Sequence, residues 1–127
     1  MKTNRVKRFE ITVFIASVDE ITGKQIDLKQ LKLAIQECQD SYGPIYPVRI
    51  VENNYVSGSD YEEKGYSLTI SALDWLEARI DHKSMLSFAG YLAENLLHNL
   101  NQTRVCLSDE FNNTMTTFYN ENIEVKR

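Results

Sequence analysis

The sequence predicts an α+β domain: a ferredoxin-like βαββαβ plait with an extra C-terminal β-hairpin strand, its two helices on one face of an antiparallel sheet. Two observations carry this. Apolar residues alternate with polar ones at Phe9, Ile11, Val13 and Ile15 and again at Tyr66, Leu68, Ile70 and Ala72, the period of a strand with one buried face. Two amphipathic stretches with capping signals stand on either side of a paired-strand region, which gives the order of a split βαβ fold. A chain of 127 residues supports one core, expected over about 8–119 with flexible tails at 1–7 and 120–127.

The first strand is followed by a polar loop from Ser17 to Ile26 containing Gly23. Asp27 and Gln30 have capping-box spacing, and Leu28, Leu31, Ile35, Cys38 and Tyr42 then fall on one helical face until Gly43-Pro44 ends the helix. Pro47 to Val56 reads as one strand, bulged or split at Asn53-Asn54, and Ser57 to Gly65 as turn chemistry leading into the strand at Tyr66. Asp74 to Lys83 is either a short helical turn or a packed loop. Ser84 or Asp81 caps a second helix reaching Leu100, with Met85, Phe88, Ala89, Leu92 and Leu96 facing inward and Asn101 as a left-handed terminus. Arg104 to Leu107 is a strand, and Asn112-Asn113 turns the chain into a final strand at Met115 to Tyr119.

A net charge of −4 argues against wholesale binding to nucleic acid or anionic membranes, since both depend on cationic surface. The basic arm Lys2, Arg5, Lys7 and Arg8 and the tyrosines Tyr55, Tyr61 and Tyr66 raise base stacking, but Asp60, Glu62 and Glu63 beside them would repel phosphate. No run is long enough to span a bilayer, and the stretch after the basic N-terminus alternates, unlike a signal peptide; a cytoplasmic location is the expectation. Cys38 and Cys106 sit in apolar patterns and read as reduced core thiols. No metal-ligand spacing, phosphate-binding glycine loop or nucleophile elbow occurs, so neither metal nor cofactor is expected, and His82 and His98 read as ordinary surface histidines.

Thr12-Val-Phe-Ile-Ala-Ser-Val-Asp-Glu-Ile-Thr-Gly-Lys-Gln25, together with Leu100-Asn-Gln-Thr-Arg-Val105, resembles small uncharacterised proteins of bacteriophages and other mobile elements. Those proteins open with a strand ending Phe-(Ile/Val)-Gly, continue into a loop with Asp and Gln, and close with an Asn-Gln-Glu-Ser-Val-like strand entry. Here Ala16 stands for the glycine and Thr103-Arg104 for Glu-Ser. The resemblance implies the plait and a phage-type origin, and no activity.

The loop after the first strand offers Ser17, Asp19, Thr22, Lys24 and Gln25, a set that can grip a small polar or anionic ligand, and it ranks first as a site. Arg49 and Arg104 are the alternative anion contacts, each in a strand from which its side chain projects. Between Ser84 and Gln102 only Glu94 is charged, and Leu86, Gly90, Ala93 and Leu97 form a second apolar flank on the helix. Either surrounding segments such as Trp75-Leu76 bury that flank, or it meets another subunit in a homo-oligomer. The function expected is therefore a non-enzymatic phage-type accessory protein that binds a host component or small ligand, as an anti-defence inhibitor or nucleotide-signal sponge. The alternatives are a small enzyme with its site at an oligomer interface, or a nucleic-acid-binding module.

Overall fold

The computed structural model describes residues 1–3, 10–43, 46–71 and 81–123. Expectations resting on Arg5, Lys7, Arg8, Phe9, Pro44, Ala72 and Trp75-Leu76 lie outside them. The elements are β1 (Glu10–Ala16), α1 (Leu28–Tyr42), β2 (Val48–Ser57), β3 (Tyr61–Ser71), α2 (His82–Asn99), β4 (Arg104–Asp109) and β5 (Thr114–Tyr119). The five strands form one sheet in the order β2-β3-β1-β4-β5, and every neighbouring pair is antiparallel. This is the ferredoxin-like plait with β5 added beyond β4.

Alternation decides which face is covered. Ile11, Val13 and Ile15 of β1, Tyr66, Leu68 and Ile70 of β3, and Val105 and Leu107 of β4 are buried in the same core as Leu31, Ile35 and Cys38 of α1 and Met85, Phe88, Leu92 and Leu96 of α2. Both helices therefore cover one face. The intervening residues, Thr12, Phe14, Ser67, Thr69, Arg49, Val51, Cys106 and Thr117, fall on the other, open face.

Local chemistry sets the helix ends. Asp27 accepts from the Gln30 amide at 2.7 Å and Asp81 from the Ser84 amide at 2.7 Å, which makes Asp81 rather than Ser84 the cap of α2. Asn101 has φ of 49°, as its position after the helix predicts, and the Gln102 amide donates back to the Leu97 carbonyl at 2.9 Å.

Several expectations are corrected. The β2–β3 ladder runs unbroken from Val48–Ile70 to Ser57–Tyr61, with no bulge at Asn53-Asn54, because Asn53 pairs with Gly65 and its side-chain amide donates to the Ser67 hydroxyl. The polar segment read as a turn is mostly strand, and only residues 58–60 turn. Leu28 is exposed, since α1 meets the core from its second turn onward. Cys106 is not a core thiol: it lies half-buried on the open face, with Sγ 3.7 Å from the Thr117 hydroxyl.

The apolar flank of α2 divides. Ala93 and Leu97 are 0% and 3% exposed within the single chain, and only Leu86 and Gly90 are left half-buried. The fifth strand packs on this side. It widens the floor beneath α2, Phe118 packs against the core from it, and the Asn120 side chain donates to the Leu97 carbonyl at 3.2 Å.

Candidate functional site

The loop after β1 is stapled to the α2–β4 junction. Asp19 Oδ1 accepts from the Ile21 and Thr22 amides at 2.9 and 3.0 Å, and Oδ2 accepts from Asn101 Nδ2 at 2.9 Å. These bonds, the Thr22 amide foremost, hold the Asp19 carboxyl below its ordinary pKa of 3.8. Glu20 reaches across to Thr103, accepting from its amide at 2.9 Å and its hydroxyl at 3.0 Å. Gln102, fully buried, closes the joint: Oε1 accepts from the Ala16 amide at 2.9 Å, while Nε2 donates to the Val18 and Leu100 carbonyls at 2.9 and 3.1 Å. A side chain with every polar group paired inside the protein holds its neighbours in one arrangement.

Against this joint lies a hollow of about 490 Å³ on the open face of the sheet, within the range of roughly 300–1,000 Å³ typical of small-ligand sites. Phe14, Ala16, Gly65 and Cys106 line it from the strands beneath. Tyr55 and Glu63 border it from the β2–β3 hairpin, Glu20 from the loop, Arg104 from β4 and Tyr119 from β5. Gly65 is required there. A Cβ would stand 2.6 Å from the Ile15 carbonyl oxygen and 3.7 Å from Tyr55 Cε2, so the missing side chain permits both the close strand pairing and the ring beside it. Tyr61 donates to Glu63 Oε2 at 2.6 Å, which fixes that carboxylate and pushes the Tyr61 phenol up.

Two further hollows adjoin, sharing Lys64 and either Gly65 or Ala16 with the first, and Ser17 and Gln25 border both. Ser17, Gln25 and Arg104 are thus gathered around one end of the sheet. Asp19 is nearby but spends its carboxylate on the loop's own amides and Asn101. Lys24 is exposed and borders none of these hollows, and Arg49 pairs with Thr69 toward the opposite end of β2.

Glu20 and Tyr119 were not singled out in the sequence, and Tyr55 and Glu63 were raised only as a base-stacking ring and a charge that repels phosphate. The register brings the last two together: a turn centred on Ser59 puts Tyr55 opposite Glu63 and Asn53 opposite Gly65, which continues the outward-facing residues into the hairpin. Tyr66, offered as a stacking aromatic, is a core residue whose hydroxyl donates to the Ile26 carbonyl at 2.8 Å. His82 is not an ordinary surface histidine. Its Nε2 lies 2.8 Å from the buried carboxylate of Asp109, and its ring is 4.7 Å from that of Phe111. Among the described residues no cluster of three or more His, Cys, Asp or Glu is placed to hold a metal ion, and no helix is long and apolar enough to cross a membrane.

No protein-family model matches the chain, and no curated protein matches it by sequence. Two solved structures share its fold: a phage SAM lyase in complex with S-methyl-5'-thioadenosine, with a TM-score of 0.64, and a phage SAM lyase in the apo state, with a TM-score of 0.63. Each is 12% identical and aligns over 98% of this chain and 100% of its own. Both neighbours are phage proteins, in keeping with the phage-type resemblance in the sequence. Both are also an enzyme, and this overturns the expectation of a non-enzymatic accessory protein. That expectation rested on the lack of a recognisable catalytic motif, and a fold shared with an enzyme removes its footing.

Proposed function

We propose that the chain is a phage-type, cytoplasmic enzyme that cleaves S-adenosylmethionine (SAM) to S-methyl-5'-thioadenosine, with the open-face hollow as its site. The observation that carries the reading is the lining of that hollow, in which two tyrosines, a fixed carboxylate and an arginine stand around one small-ligand-sized space on a fold shared end to end with a SAM lyase.

The substrate has parts to match these groups. Its adenine is a flat ring, and stacking on tyrosine stabilises a bound base by about 1–3 kcal/mol. Tyr55 and Tyr119 are the rings bordering the hollow. The sulfonium is a desolvated cation, suited to an aromatic face and to the carboxylate of Glu63.

Release of the methylated thioadenosine defines the broken bond as that between sulfur and the γ-carbon of the amino-acid chain. The bonding pair leaves with sulfur, which becomes a neutral thioether. The four-carbon fragment then balances in one of two ways: a base removes the neighbouring proton, or an oxygen, such as the fragment's own carboxylate, closes on the carbon. Either needs the chain held in line with the breaking bond, and orientation of this kind is a large source of rate. Because positive charge disappears as sulfur leaves, a fixed carboxylate beside it favours capture of the cation more than passage to product.

The test is chromatography of SAM incubated with purified protein. The wild type is expected to consume SAM with equal release of the thioether. Glu63→Gln is expected to raise the KM for SAM at least tenfold without lowering kcat, in line with the loss of a charge-assisted contact of about 1.5–3 kcal/mol to the ground-state cation. Intact SAM after prolonged incubation with folded wild-type protein would reject the reading.

A further inference from the structure

Arg104 gives the site a way to recognise the end of the substrate that the tyrosines and Glu63 leave unread. It begins β4 opposite Tyr119, two residues before Cys106, which pairs with Phe14, so its side chain rises from the open face at the hollow. Among the described residues no carboxylate lies within ion-pair distance of it: Glu20 turns to Thr103, and Glu63 accepts from Tyr61.

The other cations nearby are excluded by geometry. Lys64 borders the hollow, but it shares the alternation of Tyr66 and Leu68, which places its side chain on the helix-covered side. Arg49 is aligned through Thr69 with Thr12, four residues from Ala16 along β1, or about 13 Å at the usual rise per residue.

Arg104 and Glu63 stand on strands separated by β1 alone. Arg104 is level with Gly65, two residues along β3 from Glu63, so the two backbones are about 12 Å apart at the ordinary strand spacing and rise. The sulfonium and the carboxylate of SAM are separated by four bonds, a span that two side chains reaching inward over such a gap can bracket. Guanidinium is also the group best shaped to hold a carboxylate through two parallel hydrogen bonds.

Resting on the function proposed above, we infer that Arg104 binds the α-carboxylate of the sulfonium substrate and so makes the site select SAM over ligands that lack that group.

Three probes separate this from a merely structural role: SAM as substrate, and decarboxylated SAM and S-methyl-5'-thioadenosine as competitive inhibitors, neither of which has the carboxylate. Arg104→Gln is expected to raise the KM for SAM at least tenfold while leaving both inhibition constants within twofold of wild type, and Arg104→Lys is expected to fall between. Thermal unfolding confirms that the variants fold, and ligand-induced shifts in Tm give the same comparison if turnover in a variant is too slow to fit. Equal losses for all three ligands, or an unchanged KM for SAM in Arg104→Gln, would overturn the assignment of Arg104 while leaving the enzyme reading intact. A wild type that neither turns over SAM nor binds either inhibitor would overturn the enzyme reading itself, and the role of Arg104 with it.

Discussion

Gln102 and Gly65 show how single residues define this site. Gln102 holds the Ala16 amide and two carbonyls with no water-exposed surface of its own. In Gln102→Leu each stranded group costs about 1–3 kcal/mol, so urea denaturation is expected to show a loss of about 3 kcal/mol or more. Gly65→Ala is expected to destabilise by about 1–3 kcal/mol, because the added methyl meets backbone rather than a movable side chain. Asp19 sets a pH dependence. Its folded pKa is depressed below 3.8, so its contribution is present above the unfolded value and is lost as pH falls through the folded one. Acid is therefore expected to release the loop below about pH 4, seen as faster hydrogen exchange at the Ile21 and Thr22 amides, whereas Asp19→Asn, which never ionises, is expected to lose that part of the pH dependence.

Among the elements, α2 and the β2–β3 hairpin mark what the sequence discloses and what it hides. The caps Asp27 and Asp81 and the left-handed Asn101 were legible because each acts within a few residues of itself. The burial of Leu97 and Ala93 was not, because it depends on tertiary packing that the periodicity of the helix does not show. Leu97→Glu is accordingly expected to prevent folding of the single chain, whereas Leu86→Glu, at a half-buried position, is expected to give a folded protein; circular dichroism and thermal melts distinguish the two. The hairpin was hidden for the opposite reason. Residues 57–65 are rich in turn formers, and cross-strand pairing overrides that local preference. Glu63 and Tyr55 face the hollow as a result of that pairing, so misreading the hairpin concealed most of the site. The position of Ser17 and Arg104 at this end of the sheet was legible because the one follows β1 and the other begins β4, whose alternation is plain.

For the molecule as a whole, the plait leaves one sheet face uncovered and gathers at one end of it aromatic, acidic and basic side chains from all five strands and the loop after β1. The proposed reaction at this end cleaves a sulfonium without transferring its methyl group. The most direct measurement is an NMR time course of SAM labelled with carbon-13 at the methyl, mixed with the purified protein. The prediction is that the sulfonium methyl signal decays and a thioether methyl signal grows one for one. A methyl signal that stays on the sulfonium, or that leaves sulfur for any acceptor, would contradict it.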